Sequence, residues 1–220
     1  MSTLTLSLSA LVLICAAFPT QLIRVASMAL AGAGATQRAR MEQWGMPVLA
    51  GAMAALAWAV APLPAANPMP QWSLWLAIAV VLGLAAPLWE IALGYGNALI
   101  RRQRVNRVAL HGYAPSRFGA VASVCVVAAC EELIFRRIGI DLLVSNLAWP
   151  VWAAIAITSV FYGLNHLYFG WLTVSQKILT GAVYGALYVI SGHALLVPLV
   201  AHVVHNIVVL TIVPRWGGRA

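Results

Sequence analysis

The feature that leaves this chain least freedom is a series of seven apolar runs, at residues 4–23, 46–63, 72–95, 118–142, 149–168, 174–191 and 194–213, divided by polar or Pro/Gly punctuation. A helix crosses the hydrocarbon core of a bilayer in about 20 mostly apolar residues, and each run is near that length. Only 8% of the chain is charged and 63% is hydrophobic, whereas a soluble domain carries roughly a quarter charged residues. The pattern predicts an all-α, polytopic transmembrane helix bundle of about seven spans, with six to eight as the range. No fixed period repeats, so 1–220 reads as a single membrane domain with little chain left over for a soluble one. The stretch SMALAGAGA around 27–35 is too short to span and reads as an interfacial piece or an extension of the first helix. The first run lacks the basic flank of a secretion signal, and a polytopic chain needs no cleaved leader, so it is expected to stay.

The net charge of +8 would raise the question of nucleic acid in a soluble protein. Here the arginines gather in alternate loops: Arg24, Arg38 and Arg40, then Arg101, Arg102, Arg104, Arg107 and Arg117, then Arg215 and Arg219. The positive-inside rule places those loops and the C-terminus in the cytoplasm. The charge therefore reports topology and contact with the lipid bilayer, and no nucleic-acid partner is expected. Cys15, Cys125 and Cys130 lie in apolar runs without CxxC spacing, which argues against a disulfide framework or a thiolate metal site.

Ionisable groups within a span are costly and usually face the bundle interior. The fourth run contains Glu131, Glu132, Arg136 and Arg137, the fifth Asn165 and His166, and the seventh His202, His205 and Asn206. Glu90 and Lys177 sit closer to run ends and read as snorkelling residues; His111 and His193 read as solvated, and Arg137 as interfacial. Residues i and i+4 are neighbours on a helix, so Glu132 and Arg136 can pair in the favourable order. Glu131 is rotated about 100° from Glu132 and lacks that partner, which makes it the freer carboxylate and the candidate general base. His202, His205 and Asn206 form one stripe at i, i+3 and i+4, and Ser159, Tyr162 and His166 share another face.

Three motifs on three apolar helices follow in order: EELIFR (Glu131 to Arg136, EExxxR), YGLNH (Tyr162 to His166, close to FxxxH) and HVVHN (His202 to Asn206, HxxxN). Together they resemble the CAAX-protease and bacteriocin-processing (CPBP, Abi) superfamily of glutamate-type intramembrane proteases. The resemblance covers about 118–213, a catalytic core, with 1–117 as additional N-terminal helices. Tyr162 departs from it, because the family has phenylalanine there and the added hydroxyl needs a partner. The resemblance implies an intramembrane endopeptidase in which Glu131 and His166 activate water while His202 and Asn206 stabilise the oxyanion. Glu132 with Arg136, and Tyr162, would support that site. Its substrate would be a membrane-embedded or lipid-anchored protein or peptide.

Zinc is a weaker alternative, with Glu131, His166 and His202 as a two-histidine, one-glutamate set open to water; no HExxH-type pair supports it, and no cofactor is favoured. Two other classes use the same residue types: a small proton-coupled transporter, and a non-catalytic membrane scaffold or immunity protein. The absence of an internal repeat argues against the transporter, and the complete motif set against the scaffold. A short chain without a soluble extension looks more like the bacterial members, in a bacterial cytoplasmic membrane. A reporter fused after Ala220 is expected to be active on the cytoplasmic side, and an external signal would reverse the orientation.

Overall fold

The computed structural model describes residues 3–29, 35–60, 71–102 and 118–211. The basic segment 103–117 with His111, the linker residues 30–34 and the C-terminal Arg215 and Arg219 lie outside them. Among the described residues there is no strand. Eight α-helices follow in order: α1 Thr3–Ala17, α2 Pro19–Ala29, α3 Ala35–Val60, α4 Trp72–Ile100, α5 Phe118–Glu132, α6 Val151–Leu164, α7 Trp171–Ile190 and α8 Leu196–Thr211. One of the described helices, Trp72–Ile100, is long and apolar enough to cross a membrane, while Thr3–Ala17, Val151–Leu164 and Leu196–Thr211 are apolar but shorter.

The differences from the seven runs have local causes. The first run breaks between Ala17 and Pro19 into α1 and α2, because proline supplies no amide hydrogen to continue the ladder. The fourth run is α-helical only to Glu132, then continues as wider π-helical turns over Leu133–Ile140 and Leu142–Asn146. Such i→i+5 turns are uncommon and change which side chains face inward. Here they bury Ile134, Phe135, Arg136, Ile138, Gly139 and Ile140 together. The fifth run ends its α-helix at Leu164 and tightens into a 3₁₀ turn, Leu167–Phe169. Gly170, at φ +95°, then turns the chain into α7 with a backbone angle that a side chain would strain.

The interior is organised by helix pairs, α4 along α8 and α6 along α7, with α8 also against α5 and α7. Small residues set these distances. Ala79, Gly83, Ala86 and Pro87 are the buried apolar face of α4, and a methyl group built on Gly83 would come within 2.5 Å of the Ala201 carbonyl oxygen and 2.8 Å of Val204 Cβ. Close approach of backbones through small residues is how helices associate in lipid, where hydrophobic burial offers little drive. The opposite face of α4 leaves Leu74, Val81, Leu84 and Leu88 exposed, an apolar stripe that water would not tolerate. Gly83→Ala is expected to lower stability by about 1–3 kcal/mol in thermal unfolding in detergent. Gly96→Ala, whose added methyl would meet nothing, is expected not to lower it.

Candidate active site

Glu131 and Glu132 are the last two residues of α5, both buried. They point to different partners. Glu132 is shared: Oε2 accepts from Arg136 Nε at 3.0 Å and Oε1 from His202 Nδ1 at 2.8 Å. The intrahelical pair expected from the i, i+4 spacing is therefore formed, and the same carboxylate also orients a histidine of α8. Glu131 Oε1 accepts a hydrogen bond from Asn165 Nδ2, and its Oε2 lies 3.8 Å from His202 Nε2. Two neighbouring carboxylates thus bracket one imidazole.

Tyr162, on α6, completes the enclosure. Its hydroxyl is 3.3 Å from His202 Nε2, so the polar group that distinguishes it from phenylalanine has a partner. Its ring meets Phe135, His166 and His202 edge-on at centroid distances of 5.7, 5.2 and 5.8 Å. The Arg136 guanidinium carbon lies 5.0 Å from the same ring centroid, a favourable cation–π arrangement between two buried side chains. Arg136 Nη1 and Nη2 have no hydrogen-bond partner among the described residues, so Glu132 and this ring are its compensation.

With Nδ1–H given to Glu132, His202 can serve an anion only through Nε2, and only while that nitrogen carries a proton. His166 is half-buried, and its Nδ1 lies 3.1 Å from the Tyr162 carbonyl oxygen. Donation to that carbonyl puts the proton on Nδ1 and leaves Nε2 as an acceptor. His166 makes no direct hydrogen bond to Glu131; Asn165 beside it does. Asn206 is half-buried and has no hydrogen bond among the described residues, which leaves its amide uncommitted. The structure thus gathers Glu131, Glu132, Arg136, Tyr162 and His202 directly, places His166 at their edge through Tyr162, and leaves Asn206 one turn along α8 from His202.

Three expectations need correction. Glu90 and Lys177 do not snorkel: Glu90 is 2% exposed and its Oε1 is 2.7 Å from Lys177 Nζ. His193 is half-buried against Asp141, with Nδ1 to Oδ1 2.7 Å, and the same Asp141 accepts from Arg137 at 3.1 Å and from Tyr188 at 2.8 Å. Arg137 is therefore tied to the helix end rather than free at an interface. His205 faces Glu90 and Tyr184. Asn165 was given no role by motif reasoning, although its place beside His166 on a polar helix end was the available signal.

Among the described residues no three His, Cys, Asp or Glu side chains are grouped to hold a metal ion. Of Glu131, His166 and His202, each histidine sets Nδ1 against an oxygen and leaves Nε2 as the nitrogen a metal would take, while His166 makes no direct hydrogen bond to Glu131. A small cleft, with a volume of about 10 Å³, opens beside Glu131 and Asn165, walled by Ala16, Pro19, Met46, Ala50 and Met53 from α1 to α3.

Residues 114–208, which contain all three motifs, match the family model described as type II CAAX prenyl endopeptidase Rce1-like. Over this segment the chain is similar to that family. The family is one of proteases, and the match embraces α5 to α8 almost entirely, leaving α1 to α4 outside it. No curated protein and no solved structure matches the chain.

Removing Glu132 alone would strand a buried guanidinium. Glu132→Ala is expected to destabilise the protein by about 3–5 kcal/mol, read by thermal unfolding. The double variant Glu132→Leu/Arg136→Met, which removes both charges, is expected to recover most of that loss.

Proposed function

We propose that the chain is a multi-pass intramembrane endopeptidase of the CAAX-protease type, cleaving a membrane-embedded or lipid-anchored protein or peptide without a metal. The observation that carries this reading is the buried convergence of Glu131, Asn165, Tyr162 and His202 inside the Rce1-like segment, with Glu131 opening on an apolar cleft. Peptide hydrolysis needs a base within reach of water and donors placed where negative charge develops. Glu131 takes a proton from the water as its oxygen attacks the carbonyl carbon, and His166 Nε2 accepts a hydrogen bond from the same water. The tetrahedral oxyanion is met by protonated His202 Nε2 and the Asn206 amide. When the C–N bond breaks, Glu131 returns its proton to the leaving amine.

Asn165 holds the Glu131 carboxylate, and Glu132 with Arg136 holds the His202 ring, so the two reacting groups are positioned by separate neighbours. The cleft walls from α1 to α3 are apolar, in keeping with an apolar substrate segment that approaches from lipid. Arginine-rich loops support a cytoplasmic C-terminus, and the exposed apolar face of α4 supports contact with acyl chains.

The test is a comparison of membrane-protein termini between wild-type cells and cells carrying chromosomal Glu131→Gln. Termini of a few membrane-anchored proteins are expected to vanish in the variant at normal abundance of the protein itself. An unchanged set would move the reading to a scaffold or a carrier. Cleavage by purified protein is expected to survive a chelator wash, and stoichiometric zinc that tracks activity would overturn the metal-free part.

A further inference from the structure

A second buried polar cluster adjoins this site along α8, centred on Glu90 of α4, which is outside the Rce1-like segment. Glu90 Oε1 pairs with Lys177 Nζ at 2.7 Å and accepts from Thr180 Oγ1 at 3.1 Å, while the backbone carbonyl of Glu90 accepts from Gln176 Nε2 at 2.6 Å. Glu90 Oε2 lies 3.4 Å from His205 Nε2, in direct contact though outside hydrogen-bond geometry. The other His205 nitrogen, Nδ1, is 3.3 Å from the Tyr184 hydroxyl, which is also 3.3 Å from the Ala201 carbonyl oxygen. The Tyr184 ring lies against His202, with centroids 5.7 Å apart.

These contacts form a continuous path from Glu90 through His205 and Tyr184 to the face of His202 that the two glutamates do not touch. His202 and His205, three residues apart, lie about 60° apart around α8. The helix is therefore held at two neighbouring points, by Glu132 through His202 and by Glu90 through His205. Losing the second hold would let α8 roll slightly within its packing, and such a roll would carry Nε2 of His202 and the Asn206 amide away from Glu131.

We infer that Glu90 is a positioning residue for the reaction: acting through His205 and Tyr184, it fixes the rotation of α8 that aims His202 and Asn206. Lys177 compensates the buried carboxylate. The inference rests on the protease reading above.

A cluster that merely glued helices together would cost folded protein and leave the turnover of what remains unchanged. The discriminating variant is Glu90→Leu/Lys177→Met, which removes a buried pair in favour of apolar side chains of similar size, a change that stability often tolerates. The assay uses a quenched fluorescent peptide bearing a prenylated cysteine. The double variant is expected to unfold near the wild-type temperature, to keep its KM, and to lose about 10- to 100-fold in kcat, as misplacement of catalytic groups does. Glu90→Gln, which keeps the acceptor and the reach, is expected to retain most of the turnover. His205→Leu, which leaves the Glu90–Lys177 pair in place, is expected to lower kcat at unchanged KM and tests the path from its other end. Full turnover in folded Glu90→Leu/Lys177→Met, or in His205→Leu, would overturn the inference. Glu131→Gln is measured alongside: an inactive Glu131→Gln with fully active Glu90 variants sinks the positioning role alone. A peptide cleaved equally by wild type and Glu131→Gln, or by neither, sinks the protease reading and this inference with it.

Discussion

The interaction on which the rest of this structure depends is the sharing of one carboxylate. Glu132 sits where water does not reach, and a buried charge is sustained only when its partners are close and well oriented. It has two, Arg136 a turn along its own helix and His202 on α8, and each takes one oxygen. Because Arg136 in turn lies over the Tyr162 ring, a single ionic group ties α5, the π-helical turns after it, α6 and α8. In a low-dielectric interior such bonds gain strength, and any unpaired member becomes costly. The same interaction therefore sets helix register and imidazole orientation, and stability and chemistry cannot be separated at this residue.

That sharing also explains why adjacent glutamates are useful. Consecutive positions on a helix diverge by about 100°, so one carboxylate can be given wholly to structure while its neighbour faces another helix. Glu131 is met by a neutral donor, the amide of Asn165, and it borders the cleft. The nearest cation to Glu132 is part of its own support, whereas Glu131 borders a small apolar cleft. The division of labour follows from backbone geometry before any question of sequence motif arises.

Much of this was legible in the sequence, because it depended on local spacing. The Glu132–Arg136 pair follows from i, i+4 arithmetic, and the helical character follows from the apolar runs. What was not legible depended on where helices end. The third run was bounded at residue 95, which put Glu90 near an end, but α4 continues to Ile100, and Glu90 lies more than two turns inside. Lys177 likewise lies further inside its helix than the apolar run implies, since α7 begins at Trp171. Asn165 escaped because α6 stops at Leu164 and face arithmetic does not extend past a helix terminus. The π-helical turns have no signal in LIFRRIGI that periodicity could detect, and the partner of His205 required knowledge of which helix packs beside α8.

Tyr162 shows how one departure from a motif is accommodated rather than merely tolerated. A phenolic hydroxyl in an apolar interior must find a partner, and the one it has is Nε2 of His202, the only nitrogen of that ring not committed to Glu132. While the imidazole is neutral, Nε2 accepts from Tyr162; once protonated, it becomes a donor, and the hydroxyl is free to reorient as an acceptor. The tyrosine can therefore satisfy His202 in both protonation states with a rotation of one O–H bond. A phenylalanine would keep the ring contacts with Phe135, His166 and Arg136 but leave Nε2 of His202 without that hydroxyl partner. In a site enclosed on one side by Glu132 and Arg136 and on the other by Tyr184, that rotation is the least disruptive way to accommodate a change in charge on His202, because no helix has to move.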